Sequence, residues 1–329
     1  MNAERIISLL GKELEAMQAE LRASLRSDVP LLNSINDDLI SRSGKMLRPT
    51  VALAFAKACN DGACTPESIR YSAAVEILHN ATLLHDDVAD QAPFRRGAPT
   101  VFSSYGPTPA VLVGDFWLSR AVDLLRSSAD LSWIIGAFTK TLTDLAEGEM
   151  LQQQKAFLAD TCEEDYLRIV YCKTASLFVT ACTSAVKSVA GSDAYMDAAA
   201  AYGKALGIAF QIRDDIIDYA STDSGKPAGI DLMERKITLP LLGAMKNSGR
   251  EEEARALVRG INTGNDCAED SAKCERLHAF VLENGGLDYA LGRLRDYVRE
   301  ACEALEVLPD SAEKELLREI AEYNLQRTK

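Results

Sequence analysis

Apolar residues recur at helical spacing along almost the whole chain. Near the start, Ile6, Leu9, Leu10, Leu14, Met17 and Leu21 fall on one side of a helical wheel, with Glu and Arg mixed in between, as in a helix that turns one face to a core. The same period continues in segments rich in Ala, Leu, Glu, Lys and Arg, and runs of alternating β-branched residues are absent. The pattern predicts an all-α chain. Gly, Pro, Asn, Asp and Ser punctuate it at 28–30, 60–66, 93–109, 127–130, 159–162, 191–193, 221–230, 247–249, 260–270 and 284–286. These breaks leave about ten helices. No Pro- or Ser-rich linker separates two halves, so residues 1–329 are expected to form one domain.

Composition narrows the function. At 47% hydrophobic and 26% charged, the chain has ample apolar material for a core and lacks the polarity of a disordered protein. The 49 acidic and 36 basic residues give a net charge of −13, which argues against a nucleic-acid partner. An acidic chain that handles phosphate must concentrate its positive charge locally or recruit metal. The eight cysteines form no C-x-x-C pair and no zinc spacing, as expected in a reducing compartment. The charged N-terminal helix is unlike a signal peptide. No uncharged apolar run reaches the ~18 residues that a membrane span requires. The expected setting is therefore cytoplasmic, without a transmembrane segment.

One internal resemblance bears on chemistry. LLHDDVADQ, near residue 85, and FQIRDDIIDY, near residue 215, each place D-D-x-x-D at the end of an apolar helical stretch. On a helix Asp86 and Asp90 share a face, Asp87 is displaced by about 100°, and Asp214, Asp215 and Asp218 repeat the arrangement. Three carboxylates in one turn repel one another, and Asp is a poor residue for a helix interior. An isolated cluster of this kind reads as a solvated acidic face, but two matched clusters embedded in apolar sequence read as cation sites on two helices facing one cavity. Hard oxygen donors without His or Cys select Mg²⁺, which completes its shell with water and substrate phosphate. All six aspartates are candidate ligands, and the implied substrate is a diphosphate. Direct cationic contacts stand beside the acidic motifs: Lys45 and Arg48 in SGKMLRP, Arg95 and Arg96 in DQAPFRRG, Lys226 and Lys236 in SGKPAGIDLMERKITLP.

In their order, GKxxRP, LLHDDxxDxxxxRRG, KT and FQIRDDxxDY…GKPxGxDLxxxKxTLP resemble the trans-isoprenyl diphosphate synthases over roughly residues 40 to 245. The resemblance implies a helical bundle around a central cavity, a homodimer, and about three Mg²⁺ ions on the two Asp clusters. Under it Asp86, Asp87, Asp90 and Asp214 serve the metals, with Asp218 closing the second cluster. Arg95, Lys173, Thr174, Gln211, Lys226 and Lys236 would hold the allylic diphosphate. Lys45, Arg48, His79 and Arg96 would hold isopentenyl diphosphate. The implied reaction is ionisation of the allylic C–O bond, attack by the isopentenyl double bond, and loss of a proton to the departing diphosphate. The Lys173–Thr174 backbone and the Gln211 amide would offer dipoles to the cation. Two departures concern the lid: Arg235 stands where a glycine usually precedes the lysine of the last motif, and Ile230 stands where a basic residue is frequent.

The product tail would run toward the N-terminus of the first Asp helix, past Ala81 and Thr82. Neither is the aromatic floor of farnesyl-forming relatives, so a product longer than farnesyl is expected, in the geranylgeranyl to octaprenyl range. The floor would lie deeper, at Ile77 and Leu78 or at Phe116 and Trp117. Rival readings have their own signatures. Glu76-x-x-His79 and Glu275-x-x-His278 match the ligand pattern of di-iron carboxylate bundles. His85–Asp86 echoes metal-dependent phosphohydrolases. A class I terpene cyclase would share the fold, but lacks GKxxRP and usually carries an Asn/Ser/Glu motif in place of the second Asp cluster. A non-catalytic partner subunit would tend to lose Asp-cluster residues. The C-terminal third, including ENGGLDYALGRLRDYVREACEAL, reads as packing and surface.

Overall fold

A computed structural model describes residues 3–42, 44–220, 230–262 and 268–327. The helices run α1 (Ala3–Ser24), α2 (Pro30–Ser41), α3 (Leu47–Ala58) and α4 (Pro66–Ala89), followed by a hairpin of β1 (Phe94–Arg95) and β2 (Ala98–Pro99). Next come α5 (Val101–Tyr105), α6 (Pro107–Leu125), α7 (Leu131–Leu158), α8 (Glu163–Val170), a π-helical turn (Tyr171–Ala175), α9 (Ser176–Ser188) and α10 (Asp193–Ala220). The remainder is α11 (Ile230–Met233), α12 (Leu239–Ser248), α13 (Glu251–Arg259), α14 (Ala268–Glu283), α15 (Gly286–Ala304) and α16 (Ala312–Gln326).

The described residues are all-α apart from the hairpin, and they hold sixteen α-helices where about ten were expected. Two of the extra breaks follow single non-glycine residues in left-handed backbone, Met46 at φ 50 and Arg235 at φ 58. Such a turn leaves no mark in composition. A third is the turn through Pro309, where Ser311 Oγ accepts from Lys314 N at 3.1 Å and starts α16.

The chain clusters into two compact units. One comprises Met1–Thr139, Thr180–Ala200 and Leu305–Leu317; the other comprises Lys140–Val179, Ala201–Ala304 and Arg318–Lys329.

In the first unit α4 is the core helix, packed against α1, α3 and α6. It is buried on several sides, through Tyr71, Ala74, Val75, Ile77, Leu78 and Ala81, as expected of a helix with no polar stripe. Its start is fixed by Thr65, whose Oγ1 accepts from Ser68 N at 3.1 Å while Ser68 Oγ accepts from Thr65 N. Against it α1 lays the stripe Ile6, Leu10, Met17 and Leu21, each side chain contributing about 1.5–3 kcal/mol of burial. On α6, buried Trp117 donates to Asn36 Oδ1 at 2.8 Å, and Asn36 in turn donates to Leu25 O at 2.8 Å.

In the second unit α12 is buried from Leu239 to Met245 and packs on α14 and α15. The π turn is pressed by glycines on two neighbours. A Cβ on Gly207 of α10 would lie 2.4 Å from Ala175 Cα, and one on Gly148 of α7 would lie 2.6 Å from Cys172 Cβ. The helical segment Glu163–Ser188, made of α8, the π turn and α9 and passing into the first unit at Thr180, is long and apolar enough to cross a membrane, but 83% of its most apolar stretch is buried inside the protein. Burial of that kind marks a core helix.

Candidate active site

The last turns of α4 carry the first acidic cluster. Asp86 is half-buried, Asp90 is exposed, and Asp87, on the flank, is buried. Burial raises the Asp87 carboxyl, and Arg95 opposes it by donating from Nε to Oδ1 at 2.7 Å. Arg95 reaches this position because the hairpin reverses on Arg96 (φ 53) and Gly97 (φ 77), both left-handed as a tight I′-type turn demands.

Upstream on α4 a cationic cluster forms. The half-buried His79 imidazole is held well below its ordinary range, first by loss of water and then by the guanidinium groups of Arg48, Arg96 and Arg95. Glu76, one turn earlier and 4% exposed, is raised by burial while Arg48, Asn80 and Arg96 oppose the rise. Asn80 Nδ2 donates to Glu76 Oε1 at 3.1 Å. The Arg96 guanidinium lies over Gly44, where a Cβ would sit 2.7 Å from Cζ. Lys45 stands exposed on the same loop and Arg48 follows, half-buried, on α3. Lys45, Arg48, His79 and Arg96 are thus carried by this one unit.

Ile77, Leu78 and Ala81 are buried, Ala81 completely. Half-buried Thr82 donates to His79 O at 2.8 Å. His85 packs over Gly114 of α6, with Nε2 3.3 Å from Val111 O.

In the second unit α10 carries the second cluster with the same division. Asp214 and Asp218 are half-buried, while Asp215 is 3% exposed. Its carboxylate is engaged on both oxygens: Tyr166 Oη donates to Oδ2 at 2.6 Å and Gln211 Nε2 donates to Oδ1 at 2.9 Å. Burial pushes it up to about 8, with Asp231 adding to the rise and the two hydrogen bonds opposing it. Thr174 Oγ1, from the π turn, donates to Gln211 Oε1 at 2.9 Å. Lys173 pairs with Glu149 of α7, which also accepts from Gln153 at 3.0 Å. Lys173, Thr174, Gln211, Asp215, Asp231 and Lys236 line one cavity of about 160 Å³ with Tyr166. Burial pushes Asp231 up to about 6, against the charge of Lys236. Lys226 lies outside the described residues, as does the Ile230 side chain.

Arg235 occupies a left-handed position that glycine adopts freely. It spends its side chain on the end of α13, donating to Ile261 O at 2.5 Å and Arg259 O at 3.1 Å.

The C-terminal third is not only packing and surface. Arg327, 7% exposed, pairs with Asp214, lies 4.1 Å over the Phe210 ring and donates to Phe210 O at 3.2 Å. Nothing in its spacing marks this role. Tyr166, Glu149 and Asp231 were also missed. Asp231 lies inside the GKPxGxDL string and could have been singled out; Tyr166 and Glu149 have no motif. The E-x-x-H pairs do not build a di-iron site among the described residues. Glu76 is neighboured by Arg48 and Arg96, and His278 Nε2 lies 2.9 Å from Tyr219 O with its ring stacked on that tyrosine.

Among the described residues no three His, Cys, Asp or Glu side chains converge as a complete cage. The donor set still fits a divalent cation that takes one or two carboxylates and completes its shell with phosphate and water. In each cluster the outer carboxylates are more open than the middle one, and Asp214 already attracts a cation.

Known proteins share this organisation. The polyprenyl synthetase family profile matches residues 29–277. An octaprenyl diphosphate synthase of Haemophilus influenzae is 35% identical, covering 99% of this chain and 98% of its own. A decaprenyl diphosphate synthase from Rhodobacter capsulatus superposes with a TM-score of 0.91 at 32% identity, covering 99% of both chains. A polyprenyl synthase from Caulobacter crescentus, solved with calcium and isoprenyl diphosphate, superposes at 0.88 and 33% identity, covering 100% of this chain and 98% of that one. The profile runs through both Asp-rich helices and the relatives match from end to end, so the chain belongs to the polyprenyl synthetase family.

Proposed function

We propose that the chain, acting as one domain over residues 1–329, condenses isopentenyl diphosphate with an allylic prenyl diphosphate head to tail. It releases diphosphate and makes a trans-polyprenyl diphosphate longer than farnesyl. The observation that carries this reading is centred on α4: the guanidinium groups of Arg48, Arg95 and Arg96 gather around His79, whose proton affinity they and burial lower, and Asp86 with the C-cap Asp90 follows at the end of the helix. A guanidinium cluster beside cation-seeking carboxylates suits a substrate that is itself a metal-bound diphosphate.

In this reading Lys45, Arg48, His79 and Arg96 bind the homoallylic diphosphate, with neutral His79 able to donate one ring N–H to it. Arg95, Lys173, Lys226 and Lys236 hold the allylic diphosphate. Asp86, Asp87, Asp90, Asp214, Asp215 and Asp218 supply the oxygen donors for Mg²⁺. When bound, Mg²⁺ supplies neutralisation of the charge that grows on the leaving diphosphate, an effect largest in the transition state. Thr174 and Gln211 present dipoles to the allylic cation. The released diphosphate takes the proton lost after the new C–C bond forms, so no protein nucleophile is needed. The buried wall of Ala81, Ile77 and Leu78 accepts the growing tail, and the absence of an aromatic at 81 leaves room beyond farnesyl length. A cytoplasmic homodimer is the proposed state, supported by family type and by the burial of the one long apolar helix found among the described residues.

The test is incubation of the full chain with Mg²⁺, labelled isopentenyl diphosphate and each allylic starter, followed by chromatography of the dephosphorylated products. Alcohols longer than farnesol are expected, with Ala81→Tyr shifting them shorter. A cyclised hydrocarbon formed without isopentenyl incorporation, or no incorporation with any starter, overturns the reading. An unchanged length in Ala81→Tyr removes the tunnel from this wall.

A further inference from the structure

Buried Tyr166 has no part in the reaction just described, yet it ends a continuous hydrogen-bonded chain. Its hydroxyl meets Asp215 Oδ2 at 2.6 Å, Asp215 Oδ1 accepts from Gln211 Nε2 at 2.9 Å, and Gln211 Oε1 accepts from Thr174 Oγ1 at 2.9 Å. The polarity of the chain follows from its anchor. A glutamine amide has one acceptor end and one donor end. With its NH₂ committed to Asp215, the carbonyl must face Thr174, and the threonine proton must point at that carbonyl. Flipping the amide would aim an N–H at Thr174 and turn the hydroxyl proton loose.

Asp215 performs this duty with or without a proton. Burial pushes the carboxyl up to about 8, but a proton carried on Oδ2 would bond to Tyr166 Oη and leave Oδ1 an acceptor. Tyr166 therefore fixes which oxygen faces Gln211. The backbone supports the arrangement. Eight residues separate Tyr166 from Thr174, and in an unbroken α-helix they would differ in azimuth by about 80°. The wider i→i+5 winding of the π turn turns less per residue and removes most of that offset. Both side chains thereby reach the same stretch of α10. Tyr166, Gln211 and Thr174 also line one cavity.

We propose that Tyr166 is a positioning residue: through Asp215 and Gln211 it directs the Thr174 hydroxyl so that lone pairs, not a proton, are presented to the cavity. Lone pairs favour a developing allylic cation, and an O–H pointing the same way would repel it. The middle aspartate of the second cluster then serves as an orienting anchor, in addition to or in place of a metal ligand. This inference rests on the prenyltransfer reading.

The experiment is a double-mutant cycle in the full chain, with Tyr166→Phe, Thr174→Val and the pair, read as single-turnover condensation rates and as KM for each diphosphate. Tyr166→Phe is expected to slow the single turnover about 10- to 100-fold, with both KM values within about twofold of the parent. In the Thr174→Val background the same change should cost almost nothing further, because the hydroxyl it directs is gone. Asp215→Asn, nearly isosteric, is run in the same cycle as a second route. Its amide can donate to Gln211 and permit the flip, so it should couple to Thr174→Val in the same way. Thermal midpoints of all variants identify any that fail by unfolding. Losses that multiply in both cycles, or a KM effect with an unchanged rate, overturn the proposal while leaving the prenyltransfer reading intact. A parent chain that incorporates no isopentenyl diphosphate overturns both.

Discussion

Gly207→Ala puts a single methyl between α10 and the π turn. That Cβ would lie 2.4 Å from Ala175 Cα, 2.7 Å from Ala175 Cβ and 3.1 Å from Ala175 N. Carbon atoms pack best at about 3.5–4.0 Å, so the two segments must part by roughly 1 Å. The obstacle is backbone, which cannot rotate away as a long side chain would. Overpacking of this kind costs about 1–3 kcal/mol, with backbone collisions at the upper end, and the better helix propensity of alanine returns about 1 kcal/mol. The net expectation is a loss of about 2 kcal/mol, a fall of several degrees in thermal midpoint. Function should suffer more than stability. Gln211 lies one turn beyond Gly207 and Thr174 is next to Ala175, so the same displacement stretches their 2.9 Å hydrogen bond out of range. A misplacement of about 1 Å at reacting groups can lower turnover about 100-fold. Gly136→Ala and Gly292→Ala serve as controls, since apart from its chain neighbours and its own helix backbone nothing lies within 4 Å of a Cβ at either position; each should melt at or above the parent. Melting curves and steady-state turnover of the three variants decide the matter. If Gly207→Ala melts with the controls and keeps full activity, the close approach does not constrain the site.

Two further outcomes follow from charge. His79 is held below its ordinary 6.5 in the folded chain, so below that pH the unfolded chain takes up a proton that the folded chain refuses. Stability should therefore fall as pH drops below 6.5, by up to about 1.4 kcal/mol per pH unit, and His79→Gln should flatten that limb in urea midpoints measured near pH 7.5, 6.5 and 5.5; superimposable curves refute it. The pairing of Arg327 with Asp214 competes with any cation for that carboxylate. Partly exposed ion pairs contribute up to about 1 kcal/mol, so Arg327→Ala should lower half-saturating Mg²⁺ about two- to fivefold, and an unchanged or higher requirement in a Mg²⁺ titration counts against the competition.

The sequence declared the helices and the acidic clusters because both are local. A 3.6-residue period and a D-D-x-x-D string are read from neighbours along the chain. It under-counted the helices because Met46 and Arg235 turn the backbone through left-handed conformations that neither residue type signals. It missed Arg327 for another reason: that guanidinium meets Asp214 across 113 residues of chain, and one arginine near a C-terminus has no periodicity to interrupt. Tyr166 is the intermediate case. It lies on the buried face of an amphipathic helix, but no motif singles it out, and only the π turn, which no propensity reports, brings it into line with Thr174. Glu76 was visible within an E-x-x-H match and misleading there, since the spacing that suits an iron ligand also sets a carboxylate among guanidinium groups.

The repeated acidic motif has a simpler logic once burial is included. In D-D-x-x-D the first and last residues share a helix face, and the second lies about 100° round. If the outer pair borders a solvent-filled site, the middle one must turn toward packed protein. A buried carboxylate without donors is strongly unfavourable, so each motif must bring its own. The first finds Arg95, eight residues ahead, by way of the Arg96–Gly97 hairpin. The second finds Gln211, one turn behind, and Tyr166 on a neighbouring helix. The motif therefore specifies two kinds of carboxylate. In the proposed reaction the open ones meet a cation with the least rearrangement, and the buried one, whatever share of the metal it takes, also bonds the groups around it: Asp87 to Arg95, and Asp215 to Gln211 and, through it, Thr174.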